Sequence, residues 1–100
     1  MWKIDFSKEA TKTFLKLDKP IQILISSWIY KHLLKTDDPR IYGKPLTGNL
    51  KGLWRYRVGD YRLICSIHDA ILTIYIVEVG HRKEIYKYQP NRKVPMWHKH

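Results

Sequence analysis

Apolar and polar residues alternate from Trp2 to Phe6, the pattern of a half-buried β-strand, and Ser7 then offers a hydroxyl that can cap a helix over Lys8–Leu17. Asp18-Lys19-Pro20 resets the chain, with Pro20 suited to a first helical turn. Beyond it Ile21, Leu24, Ile25, Trp28 and Ile29 recur at the three- and four-residue spacing of one apolar helix face. This second helix is expected to end by Thr36, because Asp37-Asp38-Pro39 breaks it, and Gly43, Pro45, Gly48 and Gly52 punctuate a loop to about residue 52. From Leu53 the period changes to two. Leu53–Val58, Tyr61–Ile67 and Ile71–Val79 read as three antiparallel strands joined by short turns. The order predicts an α+β domain: an N-terminal strand, two helices, then a three- to four-stranded antiparallel sheet.

The chain has 100 residues, 44% of them apolar, which suits one domain around one core and excludes intrinsic disorder. That domain is read as residues 1–88. The basic, proline-containing segment 89–100 is read as a mobile tail. Nineteen Lys and Arg against nine Asp and Glu leave a net charge of +10, which favours a polyanionic partner, nucleic acid first. No apolar stretch approaches the roughly 20 residues that span a bilayer, so no membrane association is expected. The start of the chain carries Asp5 and no continuous apolar run, so it does not read as a secretion signal, and a cytoplasmic location is expected. Cys65 lies inside an apolar run and is read as a core residue.

Gly59-Asp60 fits a two-residue hairpin turn with Gly first, which would pair Val58 with Tyr61, Arg57 with Arg62 and Arg55 with Ile64. Alternation then places Trp54, Tyr56, Val58, Tyr61, Leu63 and Cys65 on one face as a continuous apolar surface. Arg55, Arg57 and Arg62 fall together on the other. Like charges facing each other across a sheet are unfavourable, and no carboxylate of the hairpin shares that face, so an external anion accounts for the pattern. After Val79 the chain reads Gly80-His81-Arg82-Lys83-Glu84-Ile85-Tyr86. Here Gly80 is expected to allow a sharp change of direction, with His81, Arg82 and Tyr86 bringing a titratable imidazole, a guanidinium and a phenol to the end of a core strand.

Taken together, Lys44-Pro45-Leu46-Thr47-Gly48, Leu53-Trp54-Arg55-Tyr56-Arg57-Val58-Gly59-Asp60-Tyr61-Arg62-Leu63-Ile64 and Val79-Gly80-His81-Arg82-Lys83-Glu84-Ile85-Tyr86 resemble a RelE-family toxin of a bacterial type II toxin–antitoxin system. The resemblance covers most of the domain and implies the RelE/ParE-like fold. It further implies a ribosome-dependent endoribonuclease (an mRNA interferase) that cuts mRNA in the A site without metal, by attack of a ribose 2′-OH on the adjacent phosphate. Such chemistry needs a base for the 2′-OH, cations for the charge developing on phosphorus and an acid for the departing 5′ oxygen. Arg62 and Arg82 match the family's arginines and are expected to clamp the scissile phosphate. Tyr86 matches the family's C-terminal tyrosine, which can stack on or orient a base. Arg55 and Arg57 stand where the best-known pattern has lysines; a guanidinium clamps phosphate well but is a poor proton acceptor. His81 occupies a position that is basic in relatives, and its imidazole is the natural acid or base of the set.

Lys44 and Lys51, at the ends of the central loop, are candidate contacts to RNA backbone, as are Lys8, Lys12 and Lys16, spaced four apart on one helix face. His32 and His68 have no partner at a metal-ligand spacing and are read as structural, so no metal is expected. No glycine-rich motif precedes a helix, so no nucleotide cofactor is expected. The resemblance implies a cognate RelB-like antitoxin that covers the site, the ribosome and mRNA as targets, and operator DNA bound only through the antitoxin complex. Two other functions fit the same residues: a ParE-like inhibitor of DNA gyrase, since the hairpin also resembles that branch, and a non-catalytic RNA- or ribosome-binding module.

Overall fold

The computed structural model describes residues 1–82. Tyr86, the end of the domain at residue 88 and the tail lie outside the described residues. The chain opens with strand β1 (Lys3–Phe6), whose alternation turns Ile4 and Phe6 toward the core and Lys3 and Asp5 toward water. Ser7 ends the strand and starts the next element with one hydroxyl. Its Oγ accepts from the Ala10 N–H at 2.9 Å and donates to the Val77 carbonyl at 2.9 Å. Helix α1 (Lys8–Lys16) follows, burying Ala10 and setting the Phe14 ring 5.6 Å from that of Phe6. Helix α2 (Lys19–Ile29) carries Pro20 in its first turn, buries Ile25 and Ile29, and continues into one wide π-type turn over Tyr30–Leu34 that delivers Leu33 to the core.

The loop after α2 is fastened at several points. Tyr56 Oη donates to the Pro39 carbonyl at 2.8 Å and Trp54 Nε1 to that of Tyr42 at 2.6 Å. Arg40 makes a two-pronged bridge to Asp69, both contacts at 2.9 Å. His32 stacks on Trp28 at 4.6 Å, and its Nδ1 lies 3.0 Å from the Trp28 carbonyl oxygen, a packing role. Within this loop Lys44–Pro45 forms a short strand, β2. Strands β3 (Trp54–Val58), β4 (Tyr61–His68) and β5 (Thr73–His81) complete the sheet.

The sheet has five strands in the order β1-β5-β4-β3-β2, not three to four, and it is mixed: β1 runs parallel to β5, with Ile4 beside Ile74 and Phe6 beside Ile76. Alternation reveals a strand but not its partner, and a two-residue strand such as β2 has no period to read. β5 also starts later and ends later than the pattern suggests. Asp69–Ile71 winds into a 3₁₀ turn closed by Leu72 in the left-handed region, φ 48°, and at the other end Gly80 continues the strand opposite Arg62 instead of redirecting it. Both helices cover one face of the sheet, where Ile25, Leu33, Tyr56, Leu63, Cys65, Ile74 and Ile76 are completely shielded. That burial pushes the Cys65 thiol pKa well up, so the residue behaves as a small hydrophobe. No helix among the described residues is long and apolar enough to cross a membrane.

Candidate active site

The β3–β4 hairpin has the register that its turn predicts: Val58 faces Tyr61, Arg57 faces Arg62 and Arg55 faces Ile64. Gly59 has φ +60° and Asp60 does not share a positive φ, the pattern of a type II′ turn, which glycine enters without strain. Because Tyr56, Val58, Leu63 and Cys65 point into the core, Arg55, Arg57 and Arg62 are held on the outer face, away from the helices. Two rows cross this face. One runs Arg57, Arg62, Gly80; the other runs Lys44, Arg55, Ile64, Glu78.

At the turn end of the first row the Arg82 N–H donates to the Asp60 carbonyl at 2.8 Å, which pins Arg82 to the hairpin turn. Arg57 and Arg62 thus share the turn end of this face with the Arg82 backbone just beyond β5, and Arg55 follows one row further along. They differ in exposure: Arg57 and Arg82 are exposed, Arg55 is half-buried, and Arg62 is only 5% exposed. Arg62 Nη1 donates to the carbonyls of Gly59 at 3.1 Å and Tyr61 at 3.0 Å, while its Nε is buried without a hydrogen-bond partner. Among the described residues the single ion pair is Arg40–Asp69, at the other end of β4 from this cluster, and none of the described carboxylates pairs with the arginines. Gly80 stands opposite Arg62 in the register and presents no side chain toward it.

The other sequence candidates take separate places. His81 pairs with Tyr61 and their rings meet edge to face at 5.5 Å. Its place two residues after the buried Val79 puts it on the helix side of the sheet end, and Arg82 follows directly after the strand. Lys44 joins the arginines through its pairing with Arg55, whereas Lys51 sits in the loop before β3, at the opposite end of the hairpin from Arg62. Tyr86 lies outside the described residues.

Two features of this face escape the hairpin pattern because β5 supplies them. One is the Asp60–Arg82 backbone bond. The other is Glu78, a carboxylate in the Arg55 row. Burial first, then proximity to Glu9, holds its pKa above the ordinary range, and its Oε1 accepts from the Val79 N–H at 3.0 Å and pairs with none of the arginines. No group of three or more His, Cys, Asp or Glu among the described residues is placed to hold a metal ion. What the cluster can do is bind a phosphate with paired guanidinium forks and stabilise extra charge on it.

The family model for the ParE toxin of type II toxin–antitoxin systems matches residues 4–86. The chain belongs to that family. Toxin RelG of Mycobacterium tuberculosis is 31% identical to this toxin over 86 residues, covering 86% of this chain and 97% of RelG. Toxin RelE of the same organism is 28% identical over 91 residues, 91% of this chain and 92% of that one. The toxin–antitoxin complex RelBE2 of M. tuberculosis contains a chain that superposes with a TM-score of 0.73 at 31% identity, covering 81% of this toxin and 91% of that chain. This protein is therefore a toxin of the RelE/ParE superfamily, and the strand, two helices and mixed sheet described above are the fold it shares with these relatives.

Proposed function

We propose that this toxin is an endoribonuclease that cuts messenger RNA in the ribosomal A site. The observation that carries the reading is Arg62: a nearly buried guanidinium with an unpartnered Nε, beside Arg57 and Arg82 and without a counter-ion among the described residues. A phosphodiester supplies the missing charge. In the reaction the 2′ oxygen attacks the adjacent phosphorus, the bond to the 5′ oxygen breaks, and the products are a 2′,3′-cyclic phosphate and a 5′ hydroxyl. One proton leaves the 2′-OH and one reaches the departing oxygen.

Arg62 and Arg82 clamp the phosphate and stabilise the charge that accumulates on its oxygens; Arg55, Arg57 and Lys44 hold the flanking backbone, and Lys51 meets RNA at the loop. His81, next in sequence to the clamp, is the residue to which we assign a proton transfer, and Tyr86 orients a base. An unchanged pH–rate profile in His81→Asn would remove His81 from that role. Guanidiniums suffice for the charge, so the reaction as proposed uses no metal.

A RelB-like antitoxin is the proposed partner, as in the M. tuberculosis complex, with operator DNA contacted only through that complex. On the helix side a groove of about 660 Å³, lined by Met1, Trp2, Phe6, Phe14, Leu15 and Ile29, is the seat we assign to an amphipathic antitoxin segment. Leu15→Asp on its exposed rim is expected to weaken antitoxin copurification.

Primer extension on a defined messenger in a reconstituted translation system tests the nuclease. Discrete cuts are expected with wild type and ribosomes, and their loss is expected with Arg82→Ala or without ribosomes. Intact messenger throughout would sink the proposal. The second reading, gyrase inhibition, follows from the family model's ParE name, and a DNA supercoiling assay decides it.

A further inference from the structure

Beyond the arginines, the outer face carries a second group of residues. Four residues along β4 from Arg62, at about 3.3 Å per residue, Ser66 stands roughly 13 Å away on the same face, followed by His68. Ser66 pairs with Tyr75 of β5, and Tyr75 with Asp5 of β1, so one row crosses three strands. Ile74 and Ile76 on either side of Tyr75 are fully buried, which turns Tyr75 outward. Its exposure is 38% even though β5 lies inside the sheet. Trp54, Tyr56 and Tyr61, the other aromatic residues of the described sheet strands after β1, pack on the core instead. Ser66 Oγ lies 2.9 Å from His68 Nε2, giving a paired polar edge beside the ring.

We propose that Tyr75, flanked by Ser66, His68 and Asp5, is a nucleobase subsite for the RNA strand whose phosphates lie on the arginine cluster. This rests on the nuclease reading and adds where a base is held. Charge sets the direction: Arg57 and Arg62 lie toward the hairpin turn, whereas on the far side Asp5 and Lys3 of β1 offset each other, so the phosphates belong at the first and an uncharged base at the second. A tyrosine ring offers its face to any base, while Asp5 accepts from a base amino group and the Ser66–His68 pair supplies donor and acceptor. The spacing makes this the site of a neighbouring nucleotide, not of the reacting phosphate.

The test is fluorescence anisotropy of the full chain with a labelled single-stranded RNA octamer of mixed sequence at low salt. Tyr75→Ala is expected to weaken binding about 5- to 150-fold, the range for loss of one base–aromatic stack, and Tyr75→Phe to keep wild-type affinity. Equal affinity of Tyr75→Ala and wild type overturns the subsite, and so does an absence of RNA binding by wild type. If Tyr75→Ala keeps RNA affinity but loses antitoxin, the face belongs to the antitoxin and the subsite is likewise overturned. Messenger cutting that persists while the octamer ignores Tyr75 removes the subsite alone; octamer binding that depends on Tyr75 without any messenger cutting removes the nuclease alone.

Discussion

Arg62 keeps a positive charge where water scarcely reaches it, held by two backbone carbonyls and with Nε unpartnered. No described carboxylate pairs with it, and a buried cation so placed weakens a fold, so replacing it by an apolar side chain of similar length should not harm stability. Arg62→Met is expected to melt at or above the wild-type temperature while messenger cleavage falls about 100-fold or more; Arg62→Lys keeps charge but loses the fork and should fall between. A drop in Tm beyond about 5 °C for Arg62→Met would show that the two carbonyl bonds outweigh the desolvation. Glu78 gives a prediction of opposite character. Its folded-state pKa is raised by burial, so the stability it contributes is complete below the ordinary glutamate range, near 4.3, and is lost as pH climbs through the raised value. Glu78→Gln retains an oxygen for the Val79 N–H. Thermal melts should find it equal to wild type in acid and more stable at neutral pH, with the gap opening above the ordinary range. Alternation along Arg55, Arg57 and Arg62 disclosed which face these residues share, but the depth of Arg62 and the carboxylate across from Ile64 depend on β5, which the hairpin alone does not contain.

The hairpin that presents the arginines leans on the preceding loop, and Gly43 is where the two meet. It has φ +75°, and a Cβ there would overlap the Arg55 carbonyl oxygen and stand 2.9 Å from the Tyr56 ring. Backbone must therefore shift. Gly43→Ala is expected to cost about 2 kcal/mol or more in urea denaturation, whereas Gly48→Ala, at φ +63° with open space around it, should cost only about 1 kcal/mol. Equal losses would mean that backbone conformation alone decides, not the close approach to β3. At this scale the local elements were readable: the Ser7 cap, Pro20 in the first turn of α2 and the Gly59-Asp60 turn each act through neighbours in sequence. The parallel partner of β1 was not readable, since Lys3–Phe6 meets Thr73–Ile76 only after the whole core has formed. His81 illustrates the same limit. Its place beside Arg82 is legible in sequence, but its edge-to-face contact with Tyr61 depends on the register of β4 against β5.

Across the whole molecule the net charge is +10, and among the described residues the cations occupy both faces, because Lys8, Lys12 and Lys16 of α1 lie on the helix side while Arg55, Arg57 and Arg62 lie on the outer face. A diffuse field and a defined groove differ in what one substitution does. Each phosphate neutralised by a particular side chain adds about 0.7 to the slope of log affinity against log salt for single-stranded nucleic acid, through the counterions it releases. Arg57→Gln removes an exposed contact on the outer face and should lower that slope by about 0.7, while Lys16→Gln, which changes the net charge equally, should lower affinity at low salt only slightly and leave the slope as it was. The measurement is RNA binding over a salt series for the two variants and wild type. Equal changes for Arg57→Gln and Lys16→Gln would mean that RNA samples the whole basic surface, and the outer face would then have no claim to be its track. A slope change confined to Arg57→Gln ties the phosphate path to the row that Arg57 shares with Arg62, which is the geometry that a strand running on toward Tyr75 requires.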